Sequence, residues 1–382
     1  MEGRAVAIVG AGQSPVYRGD DQRSERLAVT AGKAAIADAG LRGADIDGVF
    51  QYNFGWDSPD CFYVQQALGI PDLAAYADIG PMGPSGLGGA LAAYMAVASG
   101  ACEAALVYRA ITQSAGHQGQ ARAMSEPPGG SYQFLIPYGY TPIIPAIGMM
   151  MRRRIETLGG KIEDYGQIAI NARRWASMND QAVFRDAITM DDYLASRVLA
   201  EPLRLFDCDY PVSGANAVVI TTAERARSLR HKPVLIDAIA YATGPRPDWI
   251  QSEDFCFGGT RRCGERLWSR ASVTPQDVDV AELYDGFTHI TISWLEALGF
   301  CGIGEAGGFI DGGKTIGPGG KLPLNTHGGQ LAAGRLHGLG LLVEAVRQLR
   351  GECGERQVPD ARVAAVSNGH GPQCGAMVLR TM

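Results

Sequence analysis

The stretch NTHGGQLAAGRLHGLG, from Asn325 to Gly340, sets an asparagine, two histidines and an arginine among closely spaced glycines. Glycine lets a backbone turn tightly and approach a ligand closely, so the stretch reads as a site loop. It runs into HGLGLLVEAVRQLRG, from His337, which opens with small residues and continues as a mainly apolar helix. That helix closes at Gly351, where a C-cap glycine belongs. The same design appears earlier as SGLGGALAAYMAVASG, from Ser85, closing at Gly100. This first copy is apolar nearly all round and is expected to be buried. A second pair of look-alikes, ADIDGVFQY from Ala44 and QDVDVAELY from Gln276, leads into an apolar strand each time. The chain is therefore read as a duplication.

Valine- and isoleucine-rich runs such as VAIVG, AALVY, AVVIT, PVLIDAI and ARVAAV alternate with helical segments. That alternation predicts an α/β protein with helices on the sheet faces. Two such halves, each with a buried central helix, give a duplicated five-layer α-β-α-β-α fold. The expected division is an N-terminal half at 1–115 plus 205–230, an inserted loop domain at 116–204, and a C-terminal half at 231–382. Long insertions in compact domains often form lids or binding walls. This one carries Arg152, Arg153 and Arg154, of which the first two are candidate phosphate ligands.

Composition excludes several classes. The 382 residues suit two fused cores better than one small one. Hydrophobic residues make up 46% and charged residues 19%, as in a globular protein. A net charge of -6 gives no general attraction to nucleic acid. No apolar run reaches membrane-spanning length. The opening MEGRAVAIVGAGQS reads as a strand and a glycine turn, not as a signal peptide, so a cytoplasmic location with reduced cysteines is expected. The eight cysteines form no C-x-x-C pair, which argues against a metal site in this chain. Gly10 and Gly12 open like a dinucleotide loop, but Pro15 stands where the third glycine is needed, leaving an ordinary turn.

The duplicated halves, the inserted segment and NTHGGQL together resemble the thiolase superfamily over essentially the whole chain. AEPLRLFDC, ELYDGFTHITISWLEALGFCGIGEAGGFI and VRQLRGECGERQV narrow the resemblance to sterol-carrier-protein thiolases and their lipid-transfer relatives. The resemblance implies acyl-CoA bound between the halves and the loop domain, and a homodimer. Matching a thiolase's four chemical parts by their flanking glycines finds all four changed. The nucleophilic cysteine has become Gly83, the water-holding asparagine Tyr284, the loop histidine Arg335, and the second cysteine Ser367. Covalent acyl transfer without a nucleophile is chemically implausible. Ser85 and Cys374 are nearby substitutes and read better as a helix start and a core residue.

YDGFT and the NTHGGQL…HG stretch match a cysteine-less subgroup that resembles retro-aldolases of bacterial steroid side-chain degradation. Such enzymes split a β-hydroxyacyl-CoA into a ketone and a shorter acyl-CoA. The resemblance implies a small zinc-ribbon/OB-fold partner, an α2β2 complex, CoA only as part of the substrate, and zinc only in the partner. In some of these enzymes a second tyrosine stands at the position of Arg335. The reaction needs a base for the β-hydroxyl, donors for the enolate oxygen and an acid for the new Cα–H bond. Tyr284 is the first candidate for proton transfer, with Asp285 orienting it. Arg335 would stabilise an oxyanion, and His337 and His370 are candidate acids. His289 and His327 rank lower. Gly83, Gly369, Gly371 and Asn325 are the candidates for the oxyanion and substrate. Two alternatives stay open: a non-catalytic acyl-CoA-binding scaffold, and an acyltransferase using Cys374 or a partner's cysteine.

Overall fold

The computed structural model describes residues 3–19, 22–54, 57–80, 84, 86–112, 133–140, 143–246, 249 and 251–382. Gly83 and Ser85 lie outside the described residues. The five apolar runs read from the sequence form β1 (Val6–Gln13), β4 (Ala104–Ile111), β7 (Gly214–Thr222), β8 (Val234–Ala242) and β10 (Val363–His370). The remaining strands are β2 (Gly48–Tyr52), β3 (Ala75–Ile79), β5 (Val198–Ala200), β6 (Leu203–Arg204), β9 (Val280–Glu282) and β11 (Gln373–Thr381). Among the described residues nine strands hydrogen-bond in the order β3-β2-β4-β7-β1-β8-β11-β10-β9, and β5 and β6 form a separate ribbon.

The strand directions display the duplication. In the first half β2 and β4 run parallel, β4 and β7 antiparallel, and β7 and β1 antiparallel. In the second half β9 and β10 run parallel, β10 and β11 antiparallel, and β11 and β8 antiparallel. Strand β3 has only a vestige opposite it, the isolated parallel bridge between Ala281 and Leu324. The two half-sheets join edge to edge where Ala7 and Ile8 of β1 pair with Leu235 and Val234 of β8. That pairing satisfies backbone groups which two separate half-sheets would leave open.

Five layers result. Helix α1 (Ser24–Asp38) covers the outer face of the first half, where Ala7, Val9 and Val219 point. The inner faces of both halves, including Val6, Ile8, Val366 and Met377, close on α3 (Leu87–Ser99) and α8 (Leu339–Arg350). Alternation along each strand divides its side chains between these layers. The outer face of the second half, with Ala365 and Val378, is covered by α6 (Thr260–Trp268) and α7 (Thr288–Ala297). Between α1 and α3 lies the short helix α2 (Cys61–Ala67). The described part of the insertion contributes α4 (Ile144–Leu158) and α5 (Ile162–Ala176), which pack into this last core.

Helices α3 and α8 end on Gly100 and Gly351, both left-handed, as C-cap glycines require. The expected burial of α3 holds for Leu87, Ala90, Leu91, Ala93 and Val97, but Met95 is 50% exposed. Among the described residues none encloses the Met95 side of α3.

Candidate active site

The N-termini of α3 and α8 meet at the seam between the halves. Gly86 N–H donates to the carbonyl of His337 at 2.6 Å. A Cβ on Gly86 would stand 2.5 Å from that carbonyl, so only glycine permits the approach. Gly338, at φ +81°, is equally constrained, because a side chain there would strike the Asn368 amide. Two helix N-termini pointing at one place favour developing negative charge.

The loop from Asn325 is built on charge that the sequence reading ranked low. His327 lies 3.3 Å from Glu282. Burial lowers its pKa, but Glu282 and Glu344 outweigh that and raise it. Thr326 Oγ1 lies 2.9 Å from a carboxyl oxygen of Glu282 and 2.9 Å from one of Glu344, and Arg356 pairs with Glu344 at 3.2 Å. Asn325 does not face a ligand. Its Oδ1 accepts from the Leu283 N–H at 2.7 Å and its Nδ2 donates to the Leu283 carbonyl at 2.8 Å. Both ends of the amide therefore hold the backbone just before Tyr284, which corrects its assignment as a substrate or oxyanion group.

Tyr284 is half-buried and packs against both the central and the outer core. Its N–H donates to Ser367 Oγ at 3.2 Å, so the two altered thiolase positions are adjacent. Asp285 is fully buried and accepts from the Gln330 N–H at 2.9 Å. Burial pushes its pKa up to about 6 against the opposing pull of Gln330, His327 and Leu331. Asp285 thus ties the 325–334 loop to the Tyr284 segment.

Arg335 and Asp209 complete the cluster. Arg335 Nε lies 3.7 Å from Asp209 Oδ1, with both side chains mostly buried. Burial, helped by Asp285 and opposed by Arg335, pushes Asp209 up to about 7. Asp209 was missed in the sequence. Its only signal there is the doubled acid in FDCDYP, just before an apolar strand.

The histidines separate. His337 accepts at Nδ1 from Arg109 Nη2 at 2.8 Å, and Arg109 is buried in an ion pair with Asp57. Arginine always donates, so the His337 ring proton sits on Nε2. Burial, Arg109 and Arg335 hold its pKa well below 6.5. His337 is therefore a fixed neutral donor, not the imidazolium acid expected. Arg109 was also missed, although a charged residue inside the run AALVYRA is the kind of buried charge that calls for a partner. His370 lies with His289 and Trp249, at ring separations of 5.8 and 6.1 Å. Burial pushes its pKa down to about 4, so it too is neutral near pH 7.

The remaining candidates stand apart or are already engaged. Gly369 N–H donates to Asn368 Oδ1 and the Gly371 carbonyl accepts from Gly259, so these groups serve the turn. Arg152 is paired with Glu201 at 2.7 Å, Arg153 is exposed, and Arg154 is buried against Glu296. Cys374 is 1% exposed and its thiol donates to the Ala242 carbonyl at 3.0 Å. Burial pushes the thiols of Cys61, Cys102, Cys208, Cys256, Cys301 and Cys353 up, away from thiolate. Among the described residues no group of three or more His, Cys, Asp or Glu side chains is placed to hold a metal ion, and no helix is long and apolar enough to cross a membrane.

The chain is similar in sequence and fold to known proteins. Residues 246–379 match the family described as thiolase C-terminal domain-like. The chain is 37% identical, over 92% of each partner, to the 17-hydroxy-3-oxo-4-pregnene-20-carboxyl-CoA lyase of Mycobacterium tuberculosis. It is 36% identical to the steroid side-chain-cleaving aldolase of Thermomonospora curvata, over 98% of this chain and 97% of the relative. A solved Ltp2-ChsH2(DUF35) aldolase superposes with a TM-score of 0.91 at 34% identity, covering 100% of this chain and 98% of that one.

Proposed function

Because the chain belongs to the thiolase superfamily, in its branch of steroid side-chain-cleaving aldolases, we propose that it is a carbon–carbon lyase splitting a β-hydroxyacyl-CoA into a ketone and a shorter acyl-CoA. The observation that carries this reading is Tyr284, among Asp285, Arg335 and Asp209 and beside Ser367, the residue that stands where a thiolase has its second cysteine. Acyl transfer requires a nucleophile. A retro-aldol cleavage requires only proton transfer and oxyanion stabilisation.

In this mechanism Tyr284 Oη takes the β-hydroxyl proton as its own phenolic proton moves to a neighbouring base. The Cα–Cβ bond breaks, the ketone forms, and the electron pair enters the thioester carbonyl. Nε2–H of His337, Arg335 and the paired helix N-termini are the available stabilisers for the enolate oxygen. A proton then returns to Cα. Gly83, Gly369 and Gly371 remain as close-approach positions for the thioester, and Arg153 as a candidate for a CoA phosphate.

The assembly reading is a homodimer with a small partner protein; the name of the Ltp2-ChsH2(DUF35) aldolase gives that protein a DUF35 component. Any zinc would reside in the partner. The exposed side chains of Phe62, Tyr76 and Met95, around the open edge of β3, suit a second copy of this chain.

The test is cleavage of 17-hydroxy-3-oxo-4-pregnene-20-carboxyl-CoA by the co-expressed complex, before and after iodoacetamide. Cleavage should survive alkylation. Tyr284→Phe keeps the ring and should lower kcat by about 10²–10⁴-fold with little change in acyl-CoA affinity. A stable acyl adduct on any cysteine during turnover would contradict the reading.

A further inference from the structure

Residues 208–211 form a strap between the two loops that carry Tyr284 and Arg335. On one side Cys208 bridges Phe287, and Asp209 N–H donates to the Gly286 carbonyl at 3.1 Å. On the other side Pro211 bridges Arg335, whose N–H donates to the Tyr210 carbonyl at 2.8 Å. The Asp209 carboxylate emerges between them. Its Oδ1 is 3.7 Å from Arg335 Nε. A Cβ built on Gly286 would stand 3.4 Å from Asp209 Oδ2, 2.9 Å from Tyr284 Cε1 and 3.4 Å from Tyr284 Cζ. Glycine at 286 thus keeps clear the space shared by the phenol edge and the carboxylate.

We propose that Asp209 is a positioning residue and the proton store of the cleavage: it fixes Arg335 and receives the proton that Tyr284 gives up. The proposal rests on the lyase reading above. The substrate hydroxyl proton passes to Tyr284 Oη while the Tyr284 phenolic proton passes to the Asp209 carboxylate, directly or through one water. The Cα–Cβ electron pair moves to the thioester oxygen. The proton on Asp209 returns through Tyr284 to Cα, so the enzyme ends as it began and no outside base is consumed.

The groups that face this carboxylate are Arg335 from the 325–340 loop, Tyr284 and Asp285 from the end of β9, and the neighbouring Cys208. Burial and Asp285 oppose its ionisation and Arg335 favours it, leaving it poised to change charge near pH 7. A buried carboxyl displaced by burial and by a specific charge partner is the kind of group that active sites use.

The experiment is kcat/KM against pH, from 5 to 9, for the co-expressed complex acting on the same pregnene acyl-CoA. The wild type should show an acid limb bending near pH 7. Asp209→Asn should lower kcat at least about 10²-fold, the scale of general acid–base catalysis, and remove that limb. Asp209→Glu should restore part of both. Gly286→Ala, which leaves every titrating group in place, should lower kcat by pushing the phenol edge from the carboxylate while retaining the limb. An Asp209→Asn complex with kcat within tenfold of the parent, or with the acid limb intact, would overturn the proposal. So would a flat wild-type profile, which needs no variant to fold. A wild-type complex that cleaves nothing at any pH would instead remove the lyase reading itself.

Discussion

Helices α3 and α8 occupy equivalent places in the two halves and solve burial in opposite ways. Helix α3, LGGALAAYMAVAS, has no charged side chain, yet Met95 is half exposed beside a sheet edge where Tyr76 is 54% exposed. Helix α8, LGLLVEAVRQLR, carries Glu344, Gln348 and two arginines, yet Glu344 and Gln348 are enclosed. Glu344 and Gln348 are both partnered. Glu344 meets Thr326 and Arg356, while Gln348 donates to the Arg356 carbonyl and accepts from the Val358 N–H. Hydropathy therefore did not decide which helix was enclosed; the supply of partners did. The charges of α8 hold the site loop, whereas α3 keeps an exposed apolar side chain at Met95.

The largest way to break that contrast is Glu344→Gln. It leaves Arg356, mostly buried, without its carboxylate, and unfolding free energy should drop by about 3–5 kcal/mol in urea titrations. A loss below about 1 kcal/mol would place Glu344 among ordinary surface ion pairs.

A smaller effect is expected from pH. The His327 pKa is raised in the fold, so its stabilisation is complete below its unfolded value, about 6.5, and fades as pH rises through the folded value. Urea midpoints should therefore decline on the alkaline side, and His327→Gln should flatten that decline. An unchanged slope in the variant would mean the network does not titrate through His327.

The smallest effect on folding belongs to α3. Met95→Lys should change monomer stability by no more than about 0.5 kcal/mol, while sedimentation should show the dimer dissociating. A Met95→Lys protein that stays dimeric would move the second copy to another face.

Much of the fold was legible because burial on two faces writes itself as apolar runs. VAIVG, AALVY and ARVAAV became strands, and the paired glycine-closed helices became α3 and α8. AYADI and QCGAMVLRT passed unread: the first is an edge strand with alternating exposure, and glycine and arginine interrupt the second. At the site, Tyr284 was legible from its flanking residues. Asp209 was not, since its partners Arg335 and Gly286 come from distant stretches that only the strap at 208–211 brings together. Asn325 misled because a loop sequence does not tell which way an amide points. Here it clamps Leu283.

The seam at β1 also bears on how the chain comes into being. β1 leaves the ribosome before both of its neighbours, yet it pairs on one side with β7 and on the other with β8, reaching Thr222 and Leu235. Contacts that distant in sequence form slowly and leave early segments waiting. The nascent VAIVGAGQ strand therefore travels with both edges open until β7 and β8 have been synthesised. Its small residues, four of the eight being glycine or alanine, make that unpaired segment a weak nucleus for aggregation compared with an all-valine strand.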